Sequence, residues 1–447
     1  MHLKNSLLLF CLLHRLQIKL ITIRLEIKLK YLLSINKKLA MTLSTQDLHS
    51  DIKVIGLVGS AHGASHFFHL VLPPLFPILK EEFGVTYSAL ALLTTLFYGV
   101  SGIAQTLAGF FVDRYGARNI LLGGLTLLSL SVIGYGFASE FWMLLLFAML
   151  AGLGNSVFHP ADLSILTQKV TSGRLGKAYG IHAFSGNVGW AAAPVFVISV
   201  TQLLNWQYAL ILAGLLGLSI VLFFIIFGSD LNDNKRDSIT PLDTSILSLR
   251  SLFKNLSLLF SPTILSCFCF FALLAAALIG VQSFGVSAIG ELYEIDITQA
   301  TFALTTFLVC SAFGILSGGV LADKTTRHDI IAIAGVSLSG FVLLLIGSQI
   351  ITASSVIAFL GLSGFFSGVT APSRDMLVKK ATPPGSTGRI FGFVYSGLDL
   401  GSSLMPLLLG WLMDIGNASY VFYACAVMLF GTTSTVINVK RRSVLPS

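Results

Sequence analysis

Charge is scarce in this sequence. Asp, Glu, Lys and Arg make up 11% of its 447 residues, against about a quarter in a soluble domain, so no large soluble domain can be cut from it. Cysteine is equally sparse: Cys11, Cys267, Cys269, Cys310 and Cys425 form no disulfide or zinc framework, and the last four read as small packing residues in apolar stretches. No Gly-rich phosphate cradle, Walker pattern or HExxH occurs, so no cofactor and no ATP-driven step is expected. A signalling receptor lacks its soluble output region. An intramembrane enzyme lacks a nucleophile–base pair among the dispersed His and Asp. Acid is almost missing from residues 1–40, which carry eight Lys or Arg against Glu26 and supply nearly all of the formal +8. The remainder is close to neutral, and no nucleic-acid partner is expected.

What fills the chain is apolar. Hydrophobic residues reach 55% and mean hydropathy is +0.86. Runs of roughly 20 residues, each long enough to cross a bilayer, follow one another at 54–79, 88–112, 119–138, 141–168, 177–200 and 207–228. After a polar gap they resume at 263–290, 298–321, 330–349, 354–378, 389–413 and 418–438. The expected fold is an all-α membrane protein of twelve transmembrane helices in two pseudo-symmetric six-helix bundles, 54–228 and 263–440. A basic extension (1–53), a cytoplasmic linker (229–262) and a tail (441–447) complete the domain plan. For residues 1–40 three readings stay open: a start assigned too early, with Met41 the true one; a basic arm on anionic lipid; and an organelle transit peptide. In the linker, SDLNDNKRDSITPLD is too polar to fold alone, and SILSLRSLFKNLSLLF is amphipathic and suits the membrane interface.

The two bundles read as copies. Gly152, Val157, Pro160, Gly173, Gly176, Gly180, Gly189 and Pro194 recur 212 positions later as Gly364, Val369, Pro372, Gly385, Gly388, Gly392, Gly401 and Pro406. Proline is only 12 residues of the chain, so two coincidences in one register argue against chance. Gly and Pro set backbone geometry and outlast drift around them. A duplicated helical bundle is the architecture of an alternating-access transporter. Lys and Arg gather in the even-numbered turns and at both ends, while Glu81, Glu82, Glu140, Glu291, Glu294, Asp296 and Asp414 mark the odd turns. By the positive-inside rule both termini are cytoplasmic.

Two cytoplasmic turns carry a charge pair: GFFVDRYGARN (109–119) and GGVLADKTTRH (318–328). Asp113 and Asp323 are placed to cap a neighbouring half-helix while the cytoplasmic side is closed. With Gly109, Asp113, Arg114, Gly116 and Arg118 the first turn resembles the signature of the major facilitator superfamily, over residues 54–440. The second turn keeps Gly319, Asp323 and Lys324 but has Thr326 and His328 where Gly and Arg would stand. The resemblance implies a secondary transporter with Asp113, Arg114, Arg118, Asp323 and Lys324 in gating roles. GNVGWAAAP (186–194) resembles the family's exporter pattern in helix 5 and is expected to let helices 5 and 8 approach. Ala148 stands where many family antiporters carry Arg, so coupling through that Arg is not carried over. SHFF (65–68) and NSVFHPADLS (155–164) are similar to the fosmidomycin-resistance branch, whose members expel an anionic phosphonate.

Ionisable groups inside a bilayer are functional candidates by default. His62, His66 and His69 share one helix face and read as proton-coupling, substrate-lining or structural residues. A metal site there lacks a nearby carboxylate or Cys in sequence, and none is expected. Asp162 and Arg374 are repeat equivalents of opposite charge, expected to form a gating salt bridge, with local pairing at the interface as the alternative. Asp399, the equivalent of Asn187, has no base beside it and suits a proton carrier, with a neutral or hydrogen-bonded packing residue near Tyr395 as the alternative. Substrate-lining candidates are His159, His182, Asn187, Gln282, Arg374 and Tyr395. The expected activity is proton-coupled efflux of a small amphipathic or anionic compound by a monomer in a bacterial inner membrane. Proton-coupled uptake of an organic acid or sugar-like metabolite is the alternative.

Overall fold

The computed structural model describes residues 48–231, 259–382 and 387–443. The possible start at Met41, the basic residues 1–40 and most of the linker lie outside the described residues. The described chain is helical throughout. The first half contains α1 (residues 48–69), α2 (Phe76–Phe83), α3 (Tyr87–Tyr115), α4 (Ala117–Gly136), α5 (Phe141–Asn155), α6 (Phe158–Lys169), α7 (Leu175–Leu203) and α8 (Trp206–Phe227). The second contains α9 (Pro262–Tyr293), α10 (Ile297–Lys324), α11 (His328–Gly347), α12 (Val356–Ala381), α13 (Thr387–Asp414) and α14 (Ser419–Ser443). Eleven spans are long and apolar enough to cross a membrane, α5 and α6 counting as one. α1 is a further long helix that falls short of that hydropathy, lowered by its histidines, Asp51 and Lys53, and twelve spans are consistent with the eleven found.

Two expected spans are broken, and proline explains both. The run 54–79 is a helix that starts at 48 and stops at 69; Pro73, Pro74 and Pro77 then open a 3-10 turn and α2. Proline lacks the N–H a helix needs and disfavours α geometry in the residue before it. The run 141–168 splits into α5 and α6 at Ser156–Val157, because Pro160 cannot donate to the Ser156 carbonyl. Elsewhere the boundaries follow capping chemistry. Thr86 accepts from Ala89 N–H, Asn205 from Tyr208 N–H, and Asp296 from Thr298 and Gln299 N–H. Those backbone donors, Gln299 foremost, hold the exposed Asp296 carboxyl below its ordinary value. Gly116 turns the chain between α3 and α4 at a φ of 87°, a conformation costly for any other residue, which accounts for glycine in that short turn.

The repeat has a physical basis. A Cβ at Gly152 would run into the Phe97 carbonyl oxygen, and one at Gly364 into that of Phe307. A Cβ at Gly189 would meet the Gly63 oxygen, and one at Gly401 that of Ala272. Equivalent helices therefore cross backbone to backbone in both halves. Helices 5 and 8 do pack on one another, as α7 and α10, while Gly186 and Gly189 themselves face α1.

The halves meet where α3 packs on α13 and α7 on α10. Asp414 Oδ1 and Oδ2 accept from the backbone N–H of Tyr87 (2.7 Å) and Ser88 (2.8 Å), so the last residue of α13 caps α3 of the other half. Tyr87 also donates through its hydroxyl to Glu291 Oε1 at 2.8 Å, and the Lys80 ammonium lies 4.2 Å from its ring centre. Thr95 donates to the Ser403 carbonyl at 2.8 Å, and Gln202 bonds Thr298. Apart from Thr95–Ser403, which lies further along α3 and α13, these links lie at the end that carries the acidic turns.

Candidate functional site

The interior of the first half holds a cluster of ionisable residues. α1 and α7 can touch because Gly63, Gly186 and Gly189 carry no Cβ at their crossing. That closeness puts His62 of α1 and His182 of α7 against each other, ring centres 3.5 Å apart and nearly parallel. The restart of the chain at Phe158 directs Asp162 of α6 between them. Oδ2 of Asp162 accepts from His62 Nδ1 at 3.1 Å and from His182 Nε2 at 3.0 Å. All three side chains are buried, Asp162 completely at 0% exposure. His159 is exposed one turn earlier, its ring 5.6 Å from that of His62.

The polar column continues along α1. His66 lies 4.4 Å from His62 and 4.9 Å from His69, ring centre to ring centre. His69 Nδ1 accepts from the Trp190 indole N–H at 3.2 Å. Indole is a donor only, so the His69 proton sits on Nε2 and is given to Asn155 Oδ1 at 2.9 Å. Asn155 also accepts from Ser65 (2.7 Å) and donates to Ser101 (2.9 Å). Five polar side chains from four helices are thus hydrogen-bonded together, and a buried polar group without such partners is costly.

The second half offers fewer charges. Arg374 on α12 is half-buried, bonds Asp375 Oδ1 at 2.9 Å through Nε, and lies 4.5 Å over the Phe271 ring. Tyr395 donates to the same oxygen at 3.1 Å. The expected Asp162–Arg374 salt bridge is not made in this structure. Asp162 is enclosed between two histidines of its own half, and Arg374 takes its adjacent carboxylate and an aromatic face. Asp399 sits at the α3–α13 seam, where a Cβ at Gly102 would approach its own Cβ to 2.9 Å. Asn187 does not share that setting: its amide donates to the Ala183 carbonyl of its own helix at 3.0 Å. Gln282 is buried on α9.

Of the gating residues, Asp113, Arg114, Asp323 and Lys324 are exposed. Arg118 donates from Nε to the Gly228 carbonyl at 2.8 Å and so ties α4 to the end of α8 within one half. The latch visible between the halves is the opposite one, Asp414 on α3, whose acid had served only to orient the chain. Sequence reasoning also missed Asn155, Trp190 and the meeting of Asp162 with His62 and His182. Asn155 lies within the NSVFHPADLS stretch, but nothing in the local pattern shows that it faces α1.

Paired six-helix halves around buried ionisable residues define a secondary transporter, not an enzyme. The chain belongs to the Major Facilitator Superfamily, whose sequence model matches residues 57–290 and 272–441. It is 24% identical to the fosmidomycin resistance protein of Escherichia coli K12, over 86% of this chain and 92% of that one. It is 22% identical to a D-galactonate transporter of E. coli O6:H1 (81% and 89% covered). Against the quinolone resistance protein NorA of Staphylococcus aureus it is 21% identical (83% and 93% covered). In fold it is similar to a bacterial homolog of the human lysosomal transporter Spinster, in an inward-facing and occupied conformation. That match has a TM-score of 0.65 and 15% identity and covers 87% of this chain and 94% of that one. The protein is thus a multi-pass membrane transporter with a small-molecule substrate.

Proposed function

We propose that the protein is a proton-coupled exporter of a small anionic or amphipathic compound. The observation that carries this reading is Asp162, a fully buried carboxylate held by the N–H groups of two histidines. With both imidazoles neutral the triad bears one negative charge in low dielectric, and one added proton cancels it. A group that changes charge on exposure to either side is what proton coupling requires. His66 and His69 extend the path along α1, and Asp399 at the seam is a second, lesser carrier. Arg374, with Tyr395 beside it, offers positive charge and hydrogen bonds to an anion, and His159 and Gln282 are further polar candidates for its binding. The fosmidomycin and quinolone resistance relatives favour export; the galactonate relative keeps uptake of an organic acid as the second reading.

In this scheme both termini are cytoplasmic in a bacterial inner membrane, and the working unit is the monomer. The acidic-turn end is then external and latched by Asp414, and the end with Asp113 and Asp323 is internal. Asp414 at the end of α13 caps the start of α3, and Asp113, near the other end of α3, is assigned the matching role at the internal end, capping a helix of the second half when that end closes. Rocking trades the Asp414 contact outside for the Asp113 contact inside.

Purified protein in proteoliposomes, given a panel of phosphonates, sugar acids and amphipathic drugs with and without a pH gradient, tests the whole reading. Gradient-driven flux of an anion that Asp162→Asn uncouples, and Asp399→Asn reduces to a smaller degree, supports it. Flux indifferent to the gradient, or unchanged in Asp162→Asn, removes the proton-coupling claim.

A further inference from the structure

The buried triad has donor atoms to spare. Asp162 Oδ1 is enclosed and has no hydrogen-bond partner, and neither has Nδ1 of His66, one helical turn beyond His62. Orphaned buried polar atoms are rare and costly. Two of them in one cluster with five imidazoles call for an explanation that a carboxylate holding two histidines does not supply.

We propose that His62 Nδ1, His182 Nε2 and Asp162 form a binding site for one divalent transition-metal ion of the zinc type, with a fourth position open. The three ligand atoms lie within 4.8 Å of one another. The Nδ1–Oδ2 and Nε2–Oδ2 separations are 3.1 and 3.0 Å. A tetrahedral zinc with bonds near 2.0–2.1 Å sets donors about 3.3 Å apart, so on these two edges the ligands need to move only a few tenths of an ångström. Two imidazoles and a carboxylate suit zinc, cobalt and nickel better than the harder magnesium or calcium.

The surroundings fit the ion. To ligate through Nδ1, His62 must carry its proton on Nε2. That nitrogen and the orphaned His66 Nδ1 both face the space over Gly186, 3.1 and 2.6 Å from where a Cβ would stand. The two rings are 4.4 Å apart at their centres. His66 is placed to accept the displaced proton's hydrogen bond, the kind of outer partner that ligating histidines nearly always have. Asp162 Oδ1, unpartnered now, becomes available to the ion as a second carboxylate oxygen or to a group in the fourth position. Metal binding and proton binding use the same lone pairs, so an occupied site blocks protonation of the triad. The ion holds α1, α6 and α7, all of one half.

The test uses the full chain purified in detergent with any affinity tag removed, in the absence of substrate or gradient. Its outcome is therefore independent of the transport reading. Cobalt(II) is titrated and its visible d–d absorption followed, then zinc is added as competitor. One cobalt per chain with tetrahedral-type bands, displaced by zinc, is expected. His62→Gln, His182→Gln and Asp162→Asn should each weaken binding by at least about tenfold, and His328→Gln, in the other half, should not. Zinc should also raise the unfolding temperature of the unaltered protein and leave that of His182→Gln in place. Failure of the unaltered protein to bind cobalt overturns the site, whatever the variants do. Equal binding by the triad variants, or loss in His328→Gln, places the ion elsewhere and overturns it too.

Discussion

Gly189 and Gly401 hold equivalent places in the two halves, each letting its helix rest on the backbone of the half's first helix, at Gly63 and at Ala272. What lies behind them differs. In the first half the crossing admits His62, His66, His182 and Asp162. In the second, α9 buries Phe271, Leu274, Ala276, Ile279 and Phe284 with only uncharged polar groups, Gln282, Ser283 and Ser287, among them, while Arg374 pairs with Asp375 on α12 and Asp399 stands apart at the seam. Pro160 breaks the helix in the first half, whereas its equivalent Pro372 sits inside a continuous α12. Backbone contacts tolerate no added atom, so duplication preserved them. Side chains behind the crossing were free to diverge, and the halves took up different chemistry.

The strongest way to break this comparison is steric. Gly189→Leu and Gly401→Leu should each cost about 3 kcal/mol or more, since backbone cannot yield to the new side chain. Loss of monodisperse protein and a lowered unfolding temperature in both would show it; tolerance of either one would mean that the two crossings are not equivalent. Next come the carboxylates. Asp162→Ala leaves two buried imidazoles unpaired and should destabilise by about 3 kcal/mol. Asp375→Ala, at a half-exposed pair, should cost less than about 1 kcal/mol. Unfolding temperatures of the two variants measured side by side should differ accordingly, and equal losses would remove the contrast between the halves.

The charge assignment is sharpened by Arg374→Gln. Losing one charged hydrogen bond, about 2 kcal/mol, should weaken the affinity for an anionic substrate roughly thirtyfold and leave the dependence on the pH gradient intact. A binding titration with unchanged affinity would take substrate recognition away from the second half. The smallest effect belongs to the latch. Asp414→Asn removes a capping charge from α3, worth about 1 kcal/mol, and should shift the conformational balance about fivefold towards the state open at that end. Distances between spin labels on the Tyr87 and Asp414 ends of the helices would register the change; an unaltered distribution would mean that the cap is incidental.

Much of this was legible in the residue order. Twelve apolar runs in a chain short of charge left no other plan than a helical bundle in lipid, because a bilayer satisfies no backbone hydrogen bond. The 212-residue spacing of Gly and Pro disclosed the duplication, because those two residues alone encode backbone shape directly. The three histidines of α1 were visible through their shared face. What residue order could not contain was how distant segments meet. Asp162 lies 100 positions from His62 and 20 from His182, and its partnership with them depends on the α1–α7 crossing and on the restart at Phe158. The local sequence around His62 therefore showed no carboxylate, and the 212-residue register pointed Asp162 at Arg374 instead. Asp414 read as a marker of sidedness and became a cap on another helix for the same reason. Periodicity and composition act along the chain and decide which segments enter the membrane. Which carboxylate faces which imidazole is decided by helix crossings, and only the packed tertiary structure sets those.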